Sequence, residues 1–441
     1  MSEPQTADHA AKLRAYYAQF GIDVNDLLKE KLVLADRHIR LNPAFDGDET
    51  LKLLQTELPP DSKYPHPISW LHKSFGFYSL PGDFRLSQSS CYKEGRIYGQ
   101  EVSSGAAVAA LLSTHCDRIK GNDSPQVPLR ILDLCCAPGL KLCAISDYLR
   151  KNVLSDNSEE ATVIGVDCSE SRLSTCRKII EKHQVVPYIG SKEGKSIRIR
   201  LYNNDGTMFG SEPTNLIFDS SVCMEQRLHD EGRKRRNRSA KGRERKRLKE
   251  LVDVDRQASQ AGESSLSHVP VKLFDRVLVD VECSTDGSLK HVRRQLAKQA
   301  GVFVGTTKPE TSESLSIPVL TDEEELRRLV DLQRSLLSNG FRLLKKGGHL
   351  VYSTCSLSED QNEGVVKWLL DTYPSQASVI ELSFDWSGVN GCEEQGWNEI
   401  LKEGSIPGTV RFVPKLSSNN NMESSRILSD SGFFLAKIAK V

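Results

Sequence analysis

Short apolar runs alternate with longer segments along the chain from about residue 128 onward. The runs have the length and composition of buried β-strands. They cover residues 129–136, 162–167, 196–205, 274–281 and 349–355. The segments between them place apolar residues at helical spacing, and strands that alternate with helices are typical of a parallel sheet covered on both faces. The pattern therefore predicts an α/β fold.

The chain ahead of this region has a different pattern, in which short stretches predict a strand, a helix and a second strand. These stretches are residues 38–43, 48–58 and 69–81. We divide the chain into a helical N-terminal cap at 1–35, an α+β module with its connector at 36–125, and a main domain at 126–441. Four aromatic residues of the module either stack on nucleic-acid bases or form its core, and the sequence leaves both open. They are Trp70, Phe75, Phe77 and Tyr78.

Composition narrows the class of protein. The chain has 441 residues with 38% hydrophobic content and a net charge of zero. No apolar run approaches the roughly 18 residues of a membrane span, and the first residues lack the apolar core of a secretory signal. Eleven cysteines without a C-x-x-C pair indicate reduced thiols and neither disulfides nor structural zinc. We expect a soluble intracellular protein with no metal and no membrane partner.

One segment is strongly basic. Arg233–Lys249 is more than half Lys and Arg, and it lies within a polar stretch at about 225–268 that predicts a mobile insertion. The run is typical of an RNA-binding arm or a nuclear import signal. A solvated helix or loop without a dedicated partner is the alternative.

Polar residues follow the first three predicted strands of the main domain. Asp133 precedes the small residues Ala137-Pro138-Gly139 at a helix start, where a ligand carboxylate fits with Lys141 nearby. Asp167 ends the second strand, where α/β folds place an acid that holds ribose hydroxyls. The third strand ends in Asn203-Asn204-Asp205, which suits an amino group. Together they predict a site for S-adenosylmethionine, although each Asp is also a common helix cap or turn former.

Two cysteines lie just past the ends of the last two predicted strands. Cys283 follows the fourth strand and Cys355 ends the fifth. Two thiols at neighbouring strand ends suit a reaction that makes a covalent bond and then breaks it. A single cysteine there is more often a small buried hydrophobe.

Several motifs together resemble the Sun-type (RsmB-like) RNA cytosine-5 methyltransferase family over roughly residues 75–441. The motifs are DLCCAPGLK, GVDCSESRL, NNDGT, VLVDVECS and VYSTCSLSEDQNE. The resemblance implies a class I S-adenosylmethionine-dependent methyltransferase fold. That fold is Rossmann-like, with a mostly parallel seven-stranded sheet, here joined to a small RNA-recognition-like module. It also implies an RNA substrate, with rRNA slightly favoured over tRNA, and a monomer.

The resemblance assigns roles to three residues. Cys355 is the nucleophile that attacks carbon 6 of cytosine, Asp280 activates the base, and Cys283 assists product release. DNA cytosine methyltransferases instead place their nucleophile at the position of Cys283. The residues that the resemblance assigns to cofactor binding are Cys135, Cys136, Ala137, Pro138, Gly139, Leu140, Lys141, Asp167, Arg172, Asp205 and Asp280.

The chain departs from the family pattern beside Cys283. Glu282 replaces the usual proline, and a carboxylate at this place is expected to disfavour the Cys283 thiolate. The alternative function is therefore a non-catalytic RNA-binding ribosome assembly factor that keeps the fold. The basic run, with no transit peptide, predicts a location in the nucleus, possibly the nucleolus, ahead of cytoplasm or organelle.

Overall fold

The computed structural model describes most of the chain. The described residues are 3–27, 35–113, 129–152, 161–189, 197–229, 242–252, 272–299, 322–382, 400–418, 425–429 and 431–441. None of the described helices is both long and apolar enough to cross a membrane.

A small antiparallel sheet lies in the N-terminal part of the chain. Its strands, in the spatial order β2-β3-β1-β4, are β1 (Arg37–Leu41), β2 (His66–Pro67), β3 (Phe77–Leu80) and β4 (Ile97–Gly99). The accompanying helices are α1 (Glu3–Ala18), α2 (Val24–Leu27), α3 (Gly47–Thr56), α4 (Ser69–Phe75), α5 (Ser90–Glu94) and α6 (Val102–Leu112), with a 3₁₀ turn at Leu86–Gln88.

The prediction of a single strand over residues 69–81 is wrong for its first half. Ser69–Phe75 is a helix that buries Leu71 and Phe75, four residues apart on one face. Gly76, at φ +68°, ends it, and the strand begins at the next residue.

The aromatic residues of this part lie mainly in the core. Phe77 is fully buried, Tyr78 is 7% exposed, and Phe75 stacks on Tyr148 with ring centroids 5.0 Å apart. Trp70 is partly buried against the same apolar cluster. Of the two readings left open by the sequence, the core role therefore fits Phe75, Phe77 and Tyr78.

The main sheet has ten described strands where seven were predicted. Its order is β12-β13-β16-β10-β9-β5-β6-β7-β8, and β11 pairs with β16. The strands are β5 (Arg130–Asp133), β6 (Ala161–Asp167), β7 (Ile197–Asn203), β8 (Leu216–Asp219), β9 (Phe274–Asp280), β10 (Leu344–Thr354), β11 (Ala377–Ile380), β12 (Leu401–Glu403), β13 (Val410–Phe412) and β16 (Phe433–Lys440). A separate hairpin joins β14 (Lys415–Ser418) and β15 (Ser425–Ser429).

The five apolar runs predicted from the sequence are the five parallel strands of this sheet. They lie side by side in the order β10-β9-β5-β6-β7. The remaining strands of this sheet pair antiparallel, and they lie on both sides of this parallel centre. These outer strands are short or lie near the C-terminus, and their apolar runs do not alternate with helices.

Helices cover both faces of the sheet. Those of the main domain are α7 (Leu140–Asn152), α8 (Glu170–Ile180), α9 (Ser220–His229), α10 (242–252), α11 (Leu289–Gln299), α12 (Glu323–Leu343) and α13 (Glu363–Thr372), with short π- and 3₁₀-helical turns at Glu181–Val185 and Val186–Tyr188. Successive strand residues point to opposite faces, so Ile131 and Leu278 pack in one apolar cluster while Leu132 and Val277 pack in the other.

Part of the predicted mobile insertion is a packed helix. Residues 242–252 form α10, in which Leu248 is buried and Glu244 is 5% exposed. Arg177 of α8 contacts the Glu244 carboxylate at 2.7 Å. Burial and this ion pair pack α10 against the sheet domain, and the mobility of the insertion stays a prediction. Residues 230–241, which include much of the basic run, and 253–271 lie outside the described residues.

A buried ion pair joins the small sheet to the main domain. Arg40 of β1 donates from Nη1 to Asp147 of α7 at 2.7 Å, and both side chains are at most 4% exposed. Gln184 donates to the other Asp147 oxygen at 2.7 Å. Burial alone would lower the pKa of Arg40, but the Asp147 carboxylate outweighs burial and raises it.

We expect Asp147→Asn to destabilise the protein, because it leaves the Arg40 charge buried without a counter-charge. The free energy of unfolding should fall by about 3 kcal/mol. Asp371→Asn is the matched control, because it breaks an exposed pair with Lys367 and should cost about 0.5 kcal/mol or less. Denaturant unfolding of both variants measures the difference. Equal losses in the two proteins would contradict the role given to the buried pair.

Candidate active site

The two predicted cysteines are in contact. Strands β9 and β10 are parallel neighbours, with Asp280 opposite Ser353. The loops that follow them, which carry Cys283 and Cys355, therefore begin side by side at the same edge of the sheet. The Cys283 and Cys355 sulfur atoms lie 2.9 Å apart, and the Cys355 backbone N–H donates to the Cys283 sulfur at 3.3 Å. Both are free thiols; Cys283 is buried and Cys355 is partly exposed.

The surroundings of the two thiols differ. The hydrogen bond with Cys355 and burial raise the pKa of Cys283 well above 9, and the carboxylate of Asp286 adds to the shift. Cys283 is therefore protonated near neutral pH. Glu282 is exposed, and its backbone oxygen accepts a hydrogen bond from Gln333 at 2.9 Å. The carboxylate that acts on Cys283 is thus that of Asp286, three residues after it, and the sequence analysis gave Asp286 no role.

Asp280 lies beside the thiols, and both of its carboxylate oxygens accept hydrogen bonds. Lys141, at the start of α7, donates to Oδ2 at 2.5 Å, and the Ser353 hydroxyl donates to Oδ1 at 2.6 Å. Burial would lower the pKa of Lys141, but its attraction to Asp280 outweighs burial and raises it. Cys355 also contributes to this shift, so the ammonium group lies within electrostatic reach of the partly exposed thiol.

Buried polar side chains connect the two cysteine loops. Gln361 accepts from the Ser284 backbone at 3.1 Å and donates to the Ser284 hydroxyl at 2.8 Å. The Asp286 carboxylate accepts from the Leu357 backbone N–H at 2.9 Å. The run SLSEDQNE, a family motif in the sequence, supplies Gln361 and Asn362, two amide side chains that are both buried here. The side chains involved are Ser284, Asp286, Gln333, Ser356, Gln361 and Asn362.

The first crossover loop passes close to α8. Between β5 and α7, the loop from Cys135 to Leu140 includes Gly139 at φ +102°. A Cβ atom built at Gly139 would lie 2.6 Å from the Cys176 sulfur. Only glycine fits this conformation and spacing. Cys136 is buried beside Cys176, and Ala137 and Pro138 complete the loop.

Asp167, at the end of β6, and Arg172, in α8, both contact this loop. Asp167 Oδ2 accepts from the Ala137 backbone N–H at 3.3 Å and lies 3.6 Å from Arg172 Nη1. Arg172 Nη2 donates to the Ala137 carbonyl at 3.0 Å. Asp167 Oδ1 accepts from the Ser169 backbone at 2.9 Å, so this oxygen forms the turn that the sequence left as an alternative.

Asp133 carries an unusual buried carboxylate. It is 1% exposed, and Oδ1 accepts from the Cys135 backbone N–H at 3.3 Å. Oδ2 is buried and has no hydrogen-bond partner among the described residues. Burial raises the pKa of Asp133 to about 7, against the opposing effect of nearby Lys141. Buried acceptors are rarely left unpaired, so this oxygen points to a ligand or water.

The third strand supplies less to the site. Asn203 uses its amide to donate to the backbone oxygens of Asp167 and Cys168. Asp205 is exposed, and its Oδ1 accepts from the backbone and hydroxyl of Thr207 at 2.9 and 2.8 Å. Asp205 Oδ1 thus stabilises the turn that follows the strand. The contact of this segment with an amino group of the ligand stays a prediction.

All of these groups lie at the carboxyl ends of parallel strands, the edge where α/β sheets bind ligands. The structure brings Cys283, Cys355, Asp280 and Lys141 together, with Asp133 close enough to interact electrostatically with Lys141 and Asp280. Within the described ranges, no group of three or more His, Cys, Asp or Glu side chains is arranged to hold a metal ion.

Comparison with curated sequences identifies the relatives. The family described as 16S rRNA methyltransferase RsmB/F matches residues 310–428. Ribosomal RNA small subunit methyltransferase F of Shewanella piezotolerans is 28% identical over 171 residues, which are 38% of this chain and 27% of that protein. The Escherichia coli K12 protein of that name is 23% identical over 339 residues, 76% of this chain and 48% of that protein. The chain thus spans about half or less of these relatives.

Comparison with solved structures shows the fold. NSun6 from Pyrococcus horikoshii, solved with SFG, has a TM-score of 0.50 and 16% identity, covering 98% of both chains. A methyltransferase homolog protein from Pyrococcus horikoshii has a TM-score of 0.50 and 17% identity, covering 95% of this chain and 89% of that one. The prediction of a class I S-adenosylmethionine-dependent methyltransferase fold is confirmed.

The comparisons correct one prediction. A location in the nucleus or nucleolus is wrong on this finding, because the matching relatives come from Shewanella, Escherichia coli and Shigella, which are bacteria and have no nucleus. The composition of the basic run was therefore a poor guide to location.

The motifs, the matched domain and the fold agree. S-adenosylmethionine, the predicted cofactor, is confirmed at the level of the family and the fold class. Residues 310–428 match the RsmB/F family, and the chain as a whole is similar in sequence and fold to Sun-type methyltransferases.

Proposed function

We propose that this chain methylates carbon 5 of cytosine in RNA, with S-adenosylmethionine as methyl donor and rRNA as the first substrate to test. The observation that carries the proposal is the contact of Cys283 with Cys355 beside the Lys141–Asp280 pair, at the ligand-binding edge of the sheet. A reaction through a covalent intermediate needs a nucleophile and a means of releasing it, and two differently placed thiols meet both needs.

The first step assigns the nucleophile. Carbon 5 of cytosine is a weak nucleophile until a thiolate adds to carbon 6, which moves an electron pair toward the ring nitrogen and leaves an enamine. Cys355 is the better candidate for that thiolate because it is partly exposed and lies within electrostatic reach of the Lys141 ammonium group. Cys283 is buried with a pKa well above 9, so its thiol is protonated.

Asp280 orients and activates the base. Its carboxylate, held in place by Lys141, accepts a hydrogen bond from the exocyclic amine of cytosine. Donation to ring nitrogen 3 requires a proton on Asp280, which Lys141 supplies by transferring its own proton to Oδ2. The pair thus provides either the positive charge of Lys141 or a proton on Asp280 where electron density accumulates during attack.

Cys283 acts after methylation. The proton on carbon 5 leaves to a base, the bond between carbon 6 and the Cys355 sulfur breaks, and its electron pair returns to that sulfur. The Cys283 sulfur is 2.9 Å from this leaving atom, so its thiol proton can stabilise the departing thiolate. The raised pKa of Cys283 suits a donor, because it keeps that proton available.

The crossover residues fit the cofactor. When bound, S-adenosylmethionine supplies an electrophilic methyl group. The loop at Gly139 has no room for a side chain, the unpartnered Asp133 oxygen complements a cationic group, and Asp167 is an acid at the second strand end. We propose that the remaining predicted residues, including Leu140, Arg172 and Asp205, shape or line this site. The exposure of Glu282 weakens one of the two grounds for the non-catalytic alternative, the other being the basic run.

We expect Cys283→Ala to accumulate a covalent RNA–protein adduct, because the nucleophile is intact while its release is impaired. Cys355→Ala should form no adduct. The measurement is a denaturing gel of labelled RNA incubated with protein and cofactor, and bisulfite sequencing of the RNA locates the modified base. Cys91→Ala, a buried cysteine in the small sheet region, is the control and should turn over without accumulating adduct. An adduct that persists only in Cys355→Ala would reverse the two assignments.

We expect S-adenosylmethionine to bind more tightly as pH rises through about 7, the pKa of Asp133. Below that pH the carboxyl is neutral; above it, the carboxylate attracts the cofactor's positive charge. Between pH 6 and 8 the dissociation constant should fall up to about tenfold relative to that of Asp133→Asn. Calorimetric titration of both proteins measures this ratio, which removes the titration of the ligand and of shared groups such as Lys141. A ratio that does not change with pH would argue against a role for Asp133.

A further inference from the structure

The N-terminal helix contacts the loop that carries Cys283. The Tyr16 hydroxyl of α1 donates to Asp286 Oδ2 at 2.5 Å, and the Tyr17 hydroxyl donates to the Asp286 backbone oxygen at 3.0 Å. Tyr17 is 1% exposed, and burial raises the pKa of both tyrosines. Both hydroxyls therefore keep the protons that they donate.

Asp286 connects the two cysteine loops. It is 1% exposed, and the same oxygen that accepts from Tyr16 also accepts from the Leu357 backbone N–H, two residues after Cys355. The other oxygen accepts from the hydroxyl of Ser284, the residue after Cys283. One carboxylate thus fixes the backbone on both sides of the thiol pair.

Apolar packing holds α1 in this position. One buried cluster contains side chains from the N-terminal segment, from α11 and from the second cysteine loop. Its members are Leu13, Tyr17, Ile22, Val24, Leu27, Ala35, Leu289, Val292 and Leu357. The contact of Tyr16 with Asp286 is therefore part of a packed interface and not an isolated surface hydrogen bond.

The space around the thiols leaves little room for adjustment. The Gly287 backbone N–H donates to the Cys355 carbonyl at 3.0 Å, and a Cβ at Gly287 would lie 2.6 Å from that oxygen. A shift of the Asp286 segment therefore moves Cys355 relative to Cys283. Sulfur atoms 2.9 Å apart are sensitive to such a shift.

We propose that Tyr16 and Asp286 are positioning residues, through which the N-terminal helix sets the distance between Cys283 and Cys355. The expected effect on methylation rests on the proposed function. The effect on the thiols themselves does not, because it follows from the contacts alone.

The first test measures thiol exposure in the full chain. Tyr16→Phe keeps the ring and removes one hydrogen bond to a buried carboxylate. Iodoacetamide should then alkylate Cys283 about tenfold faster, as local opening becomes easier. Peptide mass spectrometry distinguishes Cys283 from Cys355. Tyr373→Phe is the matched control, because it removes a hydroxyl that bonds Ser338 at 2.9 Å elsewhere, and its Cys283 rate should equal that of the wild type.

The second test measures chemistry. In single-turnover reactions, Tyr16→Phe should slow methyl transfer to RNA per active site about tenfold, while KM for RNA and for cofactor stays constant. Combined with Asp286→Asn, it should add little further loss, because Tyr16 acts through Asp286. If Tyr16→Phe lowers the unfolding midpoint enough to obscure this, Tyr17→Phe is the second variant, and it should raise Cys283 alkylation in the same direction.

The outcomes separate the two ideas. An unchanged Cys283 alkylation rate in both tyrosine variants, or fully additive losses in the double variant, would overturn the positioning role. Faster alkylation in the tyrosine variants, together with a Cys283→Ala protein that forms no adduct with any RNA, would uphold the positioning role and refute the proposed reaction.

Discussion

The site depends on the parallel pairing of β9 with β10. Because Asp280 lies opposite Ser353 in the register, the residues that follow each strand emerge side by side. A shift of one residue would turn every side chain of a strand to the other face, so the apolar residues on both faces fix this register. The core of the sheet thereby determines which residues meet at its edge, and the two thiols meet because of it.

Electrostatics then distinguish groups that the backbone places close together. Lys141 and Asp280 form a partly buried pair, whereas nearby Asp133 has a pKa of about 7 and one oxygen without a hydrogen-bond partner in the part of the chain that the structure describes. Burying a carboxylate oxygen without a hydrogen bond lowers the stability of the free protein, and such oxygens are found at sites that bind ligands. Cys283 shows the same principle, because burial and its neighbours keep a proton on one thiol while the other is open to solvent.

Sequence alone could predict the parallel centre of the sheet and the strand-end residues, because apolar periodicity and chain direction determine both. It could not predict the outer strands, which pair antiparallel and lack the strand–helix alternation. The sequence predicts a strand at Ser69–Phe75, where the structure has a helix, because its aromatic residues are typical of strands and local propensity yields to packing here. Among the site residues, Asp286 and Gln361 were missed as functional because their partners are distant in sequence: Tyr16 lies 270 positions from Asp286 and Gln361 lies 77 from Ser284.

The position of Glu282 shows why distance along the chain is a poor guide to electrostatic influence. Glu282 is adjacent to Cys283 in sequence, but its side chain is exposed, and water screens its charge. Asp286 lies three residues after Cys283, but the turn through Gly287 places its carboxylate in contact with both cysteine loops. Because Asp286 is buried, its charge still raises the pKa of Cys283. The same burial requires donors for its oxygens, and the N-terminal helix supplies one of them. A segment far from the sheet in sequence is thereby joined to the thiols through one carboxylate.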